Sequence, residues 1–466
     1  MKKSICIILM IAVIFGMSSV PVSALTPEPK LEAAAAILVD MSDGKVLFEK
    51  DADSRQFPAS TTKMLTCLLA LEKLDLQTII KVDAEAAGTR GNTIKLKEGE
   101  SMDLLNMLHG MMIPSANDAS VAIAKAITGS VESFASMMNV RARELGCKES
   151  NFVNPSGIHD ELHYSSARDL ALIALECMKN ETFRQIVAKY EYTLPATEKS
   201  GERELKSTNF LLNDTEDNHR IYVGNDLRYC KYEGTIGVKT GYTSKAGGCL
   251  VAACERNGTR LLSVVLGSSG MGRFADSIKV LDWGFENYRT INVLSGGYSF
   301  GDIKVIRGEF NKVEAVLLAD IFHTLPMDAS IDIMSARAVL EESLKAPVKK
   351  GDVVGEVTLY EGEEIVGTYS AVAAKSVAEG GPLSAFGIED SAAARIWKIA
   401  LIVLGAILAL LLVIIIVIMR KIKINKAKKI ARKRKREKQE AARRAEWERY
   451  YEDKKYGRDE PPWSEE

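Results

Sequence analysis

The stretch Pro58-Ala59-Ser60-Thr61-Thr62-Lys63 begins an apolar segment that runs to Leu74 with helical periodicity. Residues three apart lie on one face of a helix, so Ser60 and Lys63 are expected side by side. The Ser60 hydroxyl would then sit at the positive end of the helix dipole. A serine hydroxyl is inert near neutral pH unless a base takes its proton. The stretch therefore predicts a hydroxyl and an amine side by side, although the spacing from Ser to Lys is a weak signal alone, since it also occurs by chance in a chain of this length.

Two further motifs follow along the chain. Ser115-Ala116-Asn117 comes after a predicted apolar helix, Leu104 to Met112, and Lys239-Thr240-Gly241 lies on a predicted strand, Thr235 to Tyr242. The third pattern occurs once in the sequence, so it carries more information than the other two.

The first two motifs each have a second copy. Ser42-Asp43-Gly44-Lys45 repeats the spacing from Ser to Lys, and Ser207-Thr208-Asn209 repeats Ser-x-Asn. Ser42 lies in a predicted turn between strands, where residues three apart do not share a face. Of the two Ser-x-x-Lys patterns, the one that begins at Ser60 is therefore the better candidate, and the order of all three motifs matters more than any one of them.

The elements around these motifs predict a mixed α+β domain. Strands are predicted on both sides of the turn Met41 to Gly44, and Ala246–Cys254 and Thr259–Leu266 flank the hairpin signal Asn257-Gly258. Helices between them indicate an antiparallel sheet with helices, over residues 25–290. Short apolar stretches and charged turns then predict a small all-β domain over residues 291–380, followed by a linker, 381–398.

The two ends of the chain predict its location. Lys2 and Lys3 precede an apolar run, and Val22-Ser23-Ala24 provides the small residues that a signal peptidase accepts. Residues 1–24 are therefore predicted to be a signal peptide, and the alternative is an uncleaved membrane anchor. Residues 399–419 carry no charge and predict a transmembrane helix. The tail, 420–466, begins with twelve Lys/Arg and one Glu over 420–438, which places it in the cytoplasm and the catalytic domain outside.

Charge and cysteine content exclude several classes of protein. Residues 25–398 carry 41 basic and 52 acidic side chains, which argues against a nucleic-acid-binding domain. The basic tail could instead mark a nucleic-acid or lipid site. We favour the alternative that its positive charge sets the membrane topology next to an anionic leaflet. The seven cysteines form no CxxC pair, so neither a zinc ribbon nor a thioredoxin-type site is available, and no disulfide is predicted.

Together, the three motifs in this order resemble the active-site set of penicillin-binding proteins and serine β-lactamases. The closer resemblance is to the D-alanyl-D-alanine carboxypeptidases, the low-molecular-mass penicillin-binding proteins, and it extends over about residues 30–380. Tyr164-Ser165-Ser166-Ala167-Arg168-Asp169 and Gly237-Val238-Lys239-Thr240-Gly241-Tyr242-Thr243 also look like signatures of that family. Two features depart from it: the stretch Asn213 to Glu233 looks long, and a full membrane span with a basic tail replaces the amphipathic helix of many relatives.

The resemblance implies a β-lactamase/transpeptidase-like domain and a membrane-anchored serine carboxypeptidase. Its expected substrate is the stem pentapeptide of peptidoglycan, whose terminal D-alanine would leave through an acyl-enzyme at Ser60. β-Lactams would be covalent inhibitors, and neither a cofactor nor a metal is expected.

Roles for the remaining residues follow from acyl transfer and from the resemblance. Lys63 would be the base, with its pKa depressed by the nearby Lys239. Ser115 would relay a proton to the departing amine, while Asn117 would hold Lys63 and a substrate amide. Lys239 and Thr240 would bind the terminal carboxylate, and Gly241 would let the peptide lie against the strand.

Two further roles come from the family alone. The backbone N–H groups of Ser60 and Tyr242 would form the oxyanion hole. Arg273 resembles an arginine near the carboxylate pocket, and a surface arginine is an equally good interpretation.

Alternative functions stay open at this point. A β-lactamase shares the first and third motifs, but no deacylating Glu motif is evident. A non-enzymatic wall-binding scaffold would have no need of Lys63.

His159 and His163 could suggest a metal site, but a zincin needs Glu directly after the first His, on a helix. Cys67, on the same helical face as Ser60, reads better as a core residue than as an active-site thiol.

Overall fold

The predicted strand–turn–strand near the start of the chain forms one side of a five-stranded sheet. The structure is a computed structural model, and it describes residues 26–213, 216, 219–455 and 457. The predicted signal peptide, 1–24, lies outside the described residues. Up to residue 287 the described residues form helices α1 (Lys63–Lys73), α2 (Ala84–Ala87), α3 (Leu104–Met112), α4 (Asn117–Thr128), α5 (Val131–Glu144), α6 (Ala167–Lys179), α7 (Glu181–Val187) and α8 (Gly272–Asn287).

The strands of this part are mostly short outside the main sheet. They are β1 (Ala35–Asp40), β2 (Val46–Lys50), β3 (Ile79–Lys81), β4 (Ser101–Asp103), β5 (Glu191–Leu194), β6 (Arg203–Lys206), β7 (Arg220–Val223), β8 (Asp226–Tyr229), β9 (Thr235–Thr243), β10 (Gly247–Arg256) and β11 (Thr259–Ser268). The main sheet has the order β2-β1-β11-β10-β9, and all four of its strand pairs are antiparallel. Strand β9, which carries Lys239-Thr240-Gly241, is therefore an edge strand of this sheet.

The hairpin signal at Asn257-Gly258 joins β10 to β11, as predicted. Both residues have positive φ, 49° and 81°, which is the backbone that a two-residue turn of this type requires. The turn closes the longest strand pair of the sheet, since β10 and β11 have ten residues each.

Alternation along the strands buries both faces of the main sheet. Ala35, Ile37 and Val39 of β1 belong to the core that contains helices α1, α3 and α4, whereas Ala36 and Leu38 face the core that contains α8. Strands buried on both faces read as continuous apolar runs, and this is why β1 and β10 show no polar alternation in the sequence. The α+β architecture agrees with the predicted fold class.

A β-rich region follows α8. Its strands are β12 (Tyr288–Leu294), β13 (Ser299–Ile306), β14 (Lys312–Leu317), β15 (Ile321–Pro326), β16 (Met334–Leu340), β17 (Ser343–Lys345), β18 (Val353–Glu361) and β19 (Glu364–Ala373). Strands β12 and β15 pair, and the other six form one sheet in the order β16-β18-β19-β14-β13-β17.

Contacts between Cα atoms divide the chain into two compact units. The first unit runs to residue 298 and also includes 317–337 and 358–369; the second contains 299–316, 338–357 and the chain from 370 onward. This division runs through the predicted all-β domain, 291–380, so the predicted domain boundaries stay predictions.

The C-terminal helix α9 (Asp390–Lys455) has 66 residues and contains the predicted transmembrane segment. It is the one helix in the described part of the chain that is long and apolar enough to cross a membrane, and this is consistent with membrane anchoring. The predicted linker, 381–398, differs from the structure in its second part, because α9 begins at Asp390. Ala392, Ala393 and Ala394 are strong helix formers, and no Gly or Pro separates them from the apolar segment.

Candidate active site

The turn that carries Ser60 is held against a glycine. Residues Ala59–Thr62 form a 3₁₀ turn that leads directly into α1, and Ala59 has φ +48°, a left-handed backbone that costs free energy in a non-glycine residue. Gly157 packs against this turn so closely that a Cβ there would lie 1.8 Å from the Ala59 carbonyl oxygen. The strained turn is therefore held by backbone packing that only glycine allows at position 157.

Lys63 lies next to Ser60, as the helical spacing predicts. Its Nζ is 3.0 Å from Ser60 Oγ, 2.7 Å from Asn117 Oδ1 and 2.7 Å from the Ser156 carbonyl oxygen. The two 2.7 Å partners can only accept hydrogen bonds. A neutral Lys63 amine would therefore spend both of its N–H bonds on them, and its lone pair would face the Ser60 hydroxyl.

The environment of Lys63 lowers its pKa well below the ordinary value of 10.5. The largest cause is burial, since Lys63 is completely buried; repulsion from Lys239 comes second, and Asp118 acts in the opposite direction. Lys239, expected from the sequence to be the cause, therefore makes a smaller contribution than burial. Together these effects favour the neutral amine that a base requires.

Ser115 lies in the connection between α3 and α4. Its backbone is left-handed, with φ +68°. Its side-chain oxygen is buried and has no hydrogen-bond partner among the described residues. A buried hydroxyl without a partner costs free energy, which is typical of a group that meets its partner only when a ligand binds.

Asn117, the first residue of α4, is clamped by its neighbours. Its Nδ2 donates to the Arg90 carbonyl oxygen at 2.8 Å, and its backbone N–H donates to the Asn92 carbonyl oxygen at 2.7 Å. Asp118 accepts hydrogen bonds from the backbone N–H groups of Ile94 and Leu96. The segment 90–96 thus fixes the amide oxygen that faces Lys63.

Strand β9 brings Lys239, Thr240 and Gly241 to the same region. Lys239 is 1% exposed, and burial, followed by repulsion from Arg273, lowers its pKa to about 7. A Cβ on Gly241 would lie 3.0 Å from the Ser60 backbone nitrogen. Gly241 therefore lets the edge strand approach the turn that carries Ser60.

Arg273 and Tyr242 lie beside this strand. An Arg273 NH1 donates to the Gly241 carbonyl oxygen at 3.4 Å, and its Nε is buried without a hydrogen-bond partner in the described part of the chain. Arg273 is thus half-buried beside the motif rather than a free surface arginine. The Tyr242 side chain is 60% exposed, at the end of the same strand.

Sequence reasoning missed three contributors to this geometry. Ser156 contributes its backbone carbonyl, which leaves no signal in residue type. Asp118 anchors the segment 90–96. Thr208, the middle residue of the second Ser-x-Asn pattern, is hydrogen-bonded through its hydroxyl to Thr240 Oγ1.

Both histidines of the considered metal site have protein neighbours. The backbone N–H of Val153 donates to His163 Nδ1 at 3.2 Å, so Nε2 carries the hydrogen and donates to Thr62 Oγ1 at 2.9 Å. Burial lowers the pKa of His163 to about 4. His159 packs edge-on against Phe57. Within the described ranges, no three His, Cys, Asp or Glu side chains are grouped as metal ligands would be.

Cys67, a residue of α1, is completely buried in the hydrophobic core. Burial raises the pKa of its thiol, which keeps it protonated and unreactive. Its place in the core agrees with the interpretation favoured from the sequence.

Comparison with known proteins gives two family matches. A profile described as D-alanyl-D-alanine carboxypeptidase matches residues 22–270, and one described as the penicillin-binding protein 5 C-terminal domain matches residues 288–379. The chain is 35% identical over 357 residues to the D-alanyl-D-alanine carboxypeptidase DacF of Bacillus subtilis, covering 75% of this chain and 87% of that one. It is 32% identical over 342 residues to DacA of Escherichia coli, covering 71% and 79%.

Solved structures agree with these matches. Penicillin binding protein 5 from Haemophilus influenzae superposes with a TM-score of 0.59 at 29% identity, covering 76% of this chain and all of that one. The Streptomyces K15 DD-transpeptidase superposes with a TM-score of 0.50 at 30% identity and covers 56% of this chain.

Proposed function

Because the chain belongs to the D-alanyl-D-alanine carboxypeptidase family, we propose that Ser60 is the nucleophile through which it removes a terminal D-alanine. The chain is a serine D-Ala-D-Ala carboxypeptidase, a hydrolase of the penicillin-binding protein group. The assignment of Ser60 rests on the position of Lys63 Nζ, which lies 3.0 Å from Ser60 Oγ. The other two contacts of this nitrogen are with oxygen atoms that can only accept hydrogen bonds.

Acylation begins with proton transfer from Ser60 Oγ to the neutral Lys63 amine. Oγ then attacks the carbonyl carbon of the penultimate D-alanine, and the carbonyl π electrons move to the oxygen. When the tetrahedral intermediate collapses, the C–N bond breaks and the amine leaves with a proton that Ser115 relays from Lys63. Water then attacks the ester carbonyl carbon and gives one proton to Lys63. The bond between that carbon and Ser60 Oγ breaks, the shortened peptide leaves as a carboxylic acid, and Oγ takes the proton back from Lys63.

Two backbone N–H groups stabilise the developing oxyanion in this proposal, those of Ser60 and Tyr242. One such donor contributes about 3 kcal/mol of transition-state stabilisation. Gly241 supports this role, since the contact of its backbone with Ser60 leaves no room for a larger residue between the two donors.

Lys239, Thr240 and Arg273 form the carboxylate subsite. Neither cation has a salt-bridge partner among the described residues. Both have pKa values lowered by burial and, for Lys239, by the proximity of Arg273. A substrate carboxylate would relieve this repulsion and supply the missing counter-charge, which selects substrates with a free C-terminus.

The natural substrate is proposed to be the stem pentapeptide of peptidoglycan, ending in D-Ala-D-Ala, with β-lactams as covalent inhibitors. The apolar segment 399–419 would cross the cell membrane once. The basic segment 420–438 supports an orientation in which the tail is cytoplasmic and the catalytic domain is outside.

The test uses the full chain in detergent, with benzylpenicillin and a diacetyl-Lys-D-Ala-D-Ala peptide. Wild-type protein should gain one penicillin mass at Ser60 that persists over minutes, and it should release D-alanine from the peptide. Ser60→Ala should lose both properties, whereas the matched variant Ser42→Ala should keep both.

Two results would contradict the proposal. Labelling that survives in the Ser60→Ala protein would place the nucleophile elsewhere. An adduct that vanishes within seconds, with turnover of penicillin and no release of D-alanine, would identify a β-lactamase instead.

A further inference from the structure

The segment 207–209 connects two parts of the active site. The Thr208 backbone N–H donates to the carbonyl oxygen of Ile113, two residues before Ser115, at 3.3 Å. The Thr208 hydroxyl is hydrogen-bonded to the Thr240 hydroxyl of strand β9. Thr208 therefore joins the connection that carries Ser115 to the strand that carries the proposed carboxylate subsite.

A pair of hydroxyl groups has a direction that a ligand can set. Each hydroxyl has one hydrogen to donate, and both can accept. A substrate carboxylate only accepts, so it needs the Thr240 hydrogen. Once Thr240 donates to the carboxylate, the hydrogen between the two threonines must come from Thr208. Donation from Thr208 polarises Thr240 and strengthens its bond to the anion.

We propose that Thr208 is a positioning residue of the carboxylate subsite, which holds the Thr240 hydroxyl with its hydrogen directed to the C-terminal carboxylate of the peptide. The inference rests on the proposed function, in which Thr240 binds that carboxylate. It assigns a role to a residue outside the three motifs, and it predicts an effect on binding of the peptide rather than on the bond-making steps.

The local fold of this segment does not depend on the Thr208 hydroxyl. Ser207 Oγ accepts from the Asn209 backbone N–H at 3.1 Å, and Asn209 Oδ1 accepts from the Leu211 backbone N–H at 3.2 Å. The Ser207 backbone N–H donates to the Tyr190 carbonyl oxygen at 2.7 Å. Thr208→Val keeps the shape and removes only the hydroxyl, so this variant is expected to fold.

The experiment is a double-mutant cycle on the full chain in detergent, with release of D-alanine from the diacetyl-Lys-D-Ala-D-Ala peptide as the assay. Thr208→Val should raise KM roughly 3- to 10-fold, as expected for one hydrogen bond, and change kcat little. Thr208→Ser, which keeps the hydroxyl, should restore KM. Thr240→Val should raise KM, and adding Thr208→Val to it should have no further effect. Midpoints of thermal unfolding show whether each variant is folded, and Thr208→Ala replaces Thr208→Val if that variant is not.

The outcomes separate this inference from the function on which it rests. A normal KM for Thr208→Val, beside a raised KM for Thr240→Val, overturns the role of Thr208 and leaves the subsite intact. An effect of Thr208→Val that persists in the Thr240→Val background shows that Thr208 does not act through Thr240, which also overturns it. A normal KM for Thr240→Val contradicts the proposed role of Thr240 itself, and the inference falls with it.

Discussion

The backbone carbonyl oxygen of Ser156 lies 2.7 Å from Lys63 Nζ, although Ser156 belongs to none of the three motifs. A carbonyl oxygen can never donate, so this contact directs one N–H of Lys63 away from Ser60 whatever the protonation state. Asn117 Oδ1 directs a second one. The remaining position on the nitrogen is the one that faces Ser60, and this arrangement supports the proposed role of Lys63 as the base.

Lys63→Arg should strongly reduce kcat although it keeps a cation in place. A guanidinium group stays protonated at accessible pH, so it cannot take the Ser60 proton. We expect kcat to fall by roughly 10²- to 10⁴-fold, the usual contribution of a general base. Release of D-alanine measures kcat, and Lys73→Arg, an exposed position on the same helix, is the matched control. Turnover near the wild-type value would show that the base lies elsewhere.

The pH dependence of kcat/KM should be bell-shaped. Lys63 must be neutral, so activity should fall as the pH drops below its lowered pKa. Lys239 must be protonated to bind the carboxylate, so activity should also fall as the pH rises through its pKa of about 7 in the free enzyme. A bound carboxylate favours the charged form of Lys239, and the basic limb of kcat should therefore lie at higher pH than that of kcat/KM.

Lys239→Arg tests the assignment of the basic limb. Because an arginine stays charged, the variant should lose the fall of kcat/KM above pH 7 even if its overall activity is reduced. A basic limb that stays in the same place would show that another group titrates there.

Gly157→Ala should disturb the turn that carries Ser60. An added Cβ would lie 1.8 Å from the Ala59 carbonyl oxygen, so one of the two backbones must move. The matched control is Gly44→Ala, which has a similar φ of +76° against +79° but no atom within 4 Å of its Cβ. The control should lose only about 1–2 kcal/mol of unfolding free energy from the left-handed backbone.

The two glycine variants are compared by denaturant unfolding and by the rate of acylation with benzylpenicillin. Gly157→Ala should lose more stability than the control and acylate more slowly. Equal behaviour of the two variants would mean that the contact between Gly157 and Ala59 does not support the nucleophile.

The membrane orientation can be tested on intact cells. A tag placed after Glu466 should be protected from external protease, because the proposed orientation places the basic segment 420–438 and the tail in the cytoplasm. The catalytic domain should be digested from outside in the same cells, and permeabilised cells show that the tag can be cleaved. A tag that is cleaved in intact cells would reverse the orientation.

The sequence by itself determined the chemical content of the site and much of the fold. Ser60 and Lys63 could be paired because helical spacing is a local property, and the Asn257-Gly258 hairpin could be placed because its turn needs positive φ at two neighbouring residues. The apolar segment 399–419 was readable because its composition alone decides whether it can cross a membrane.

Only the tertiary structure decided which groups complete the site. Ser156 contributes a backbone carbonyl, and every residue has one, so its role depends on where the chain passes. Thr208 belongs to the second copy of the Ser-x-Asn pattern, and folding brings its hydroxyl to Thr240, 32 residues away along the chain. The main cause of the lowered pKa of Lys63 is likewise burial, which arises from packing of several segments and is not a property of spacing. Sequence patterns report local periodicity, whereas contacts between distant segments exist only once the core has formed.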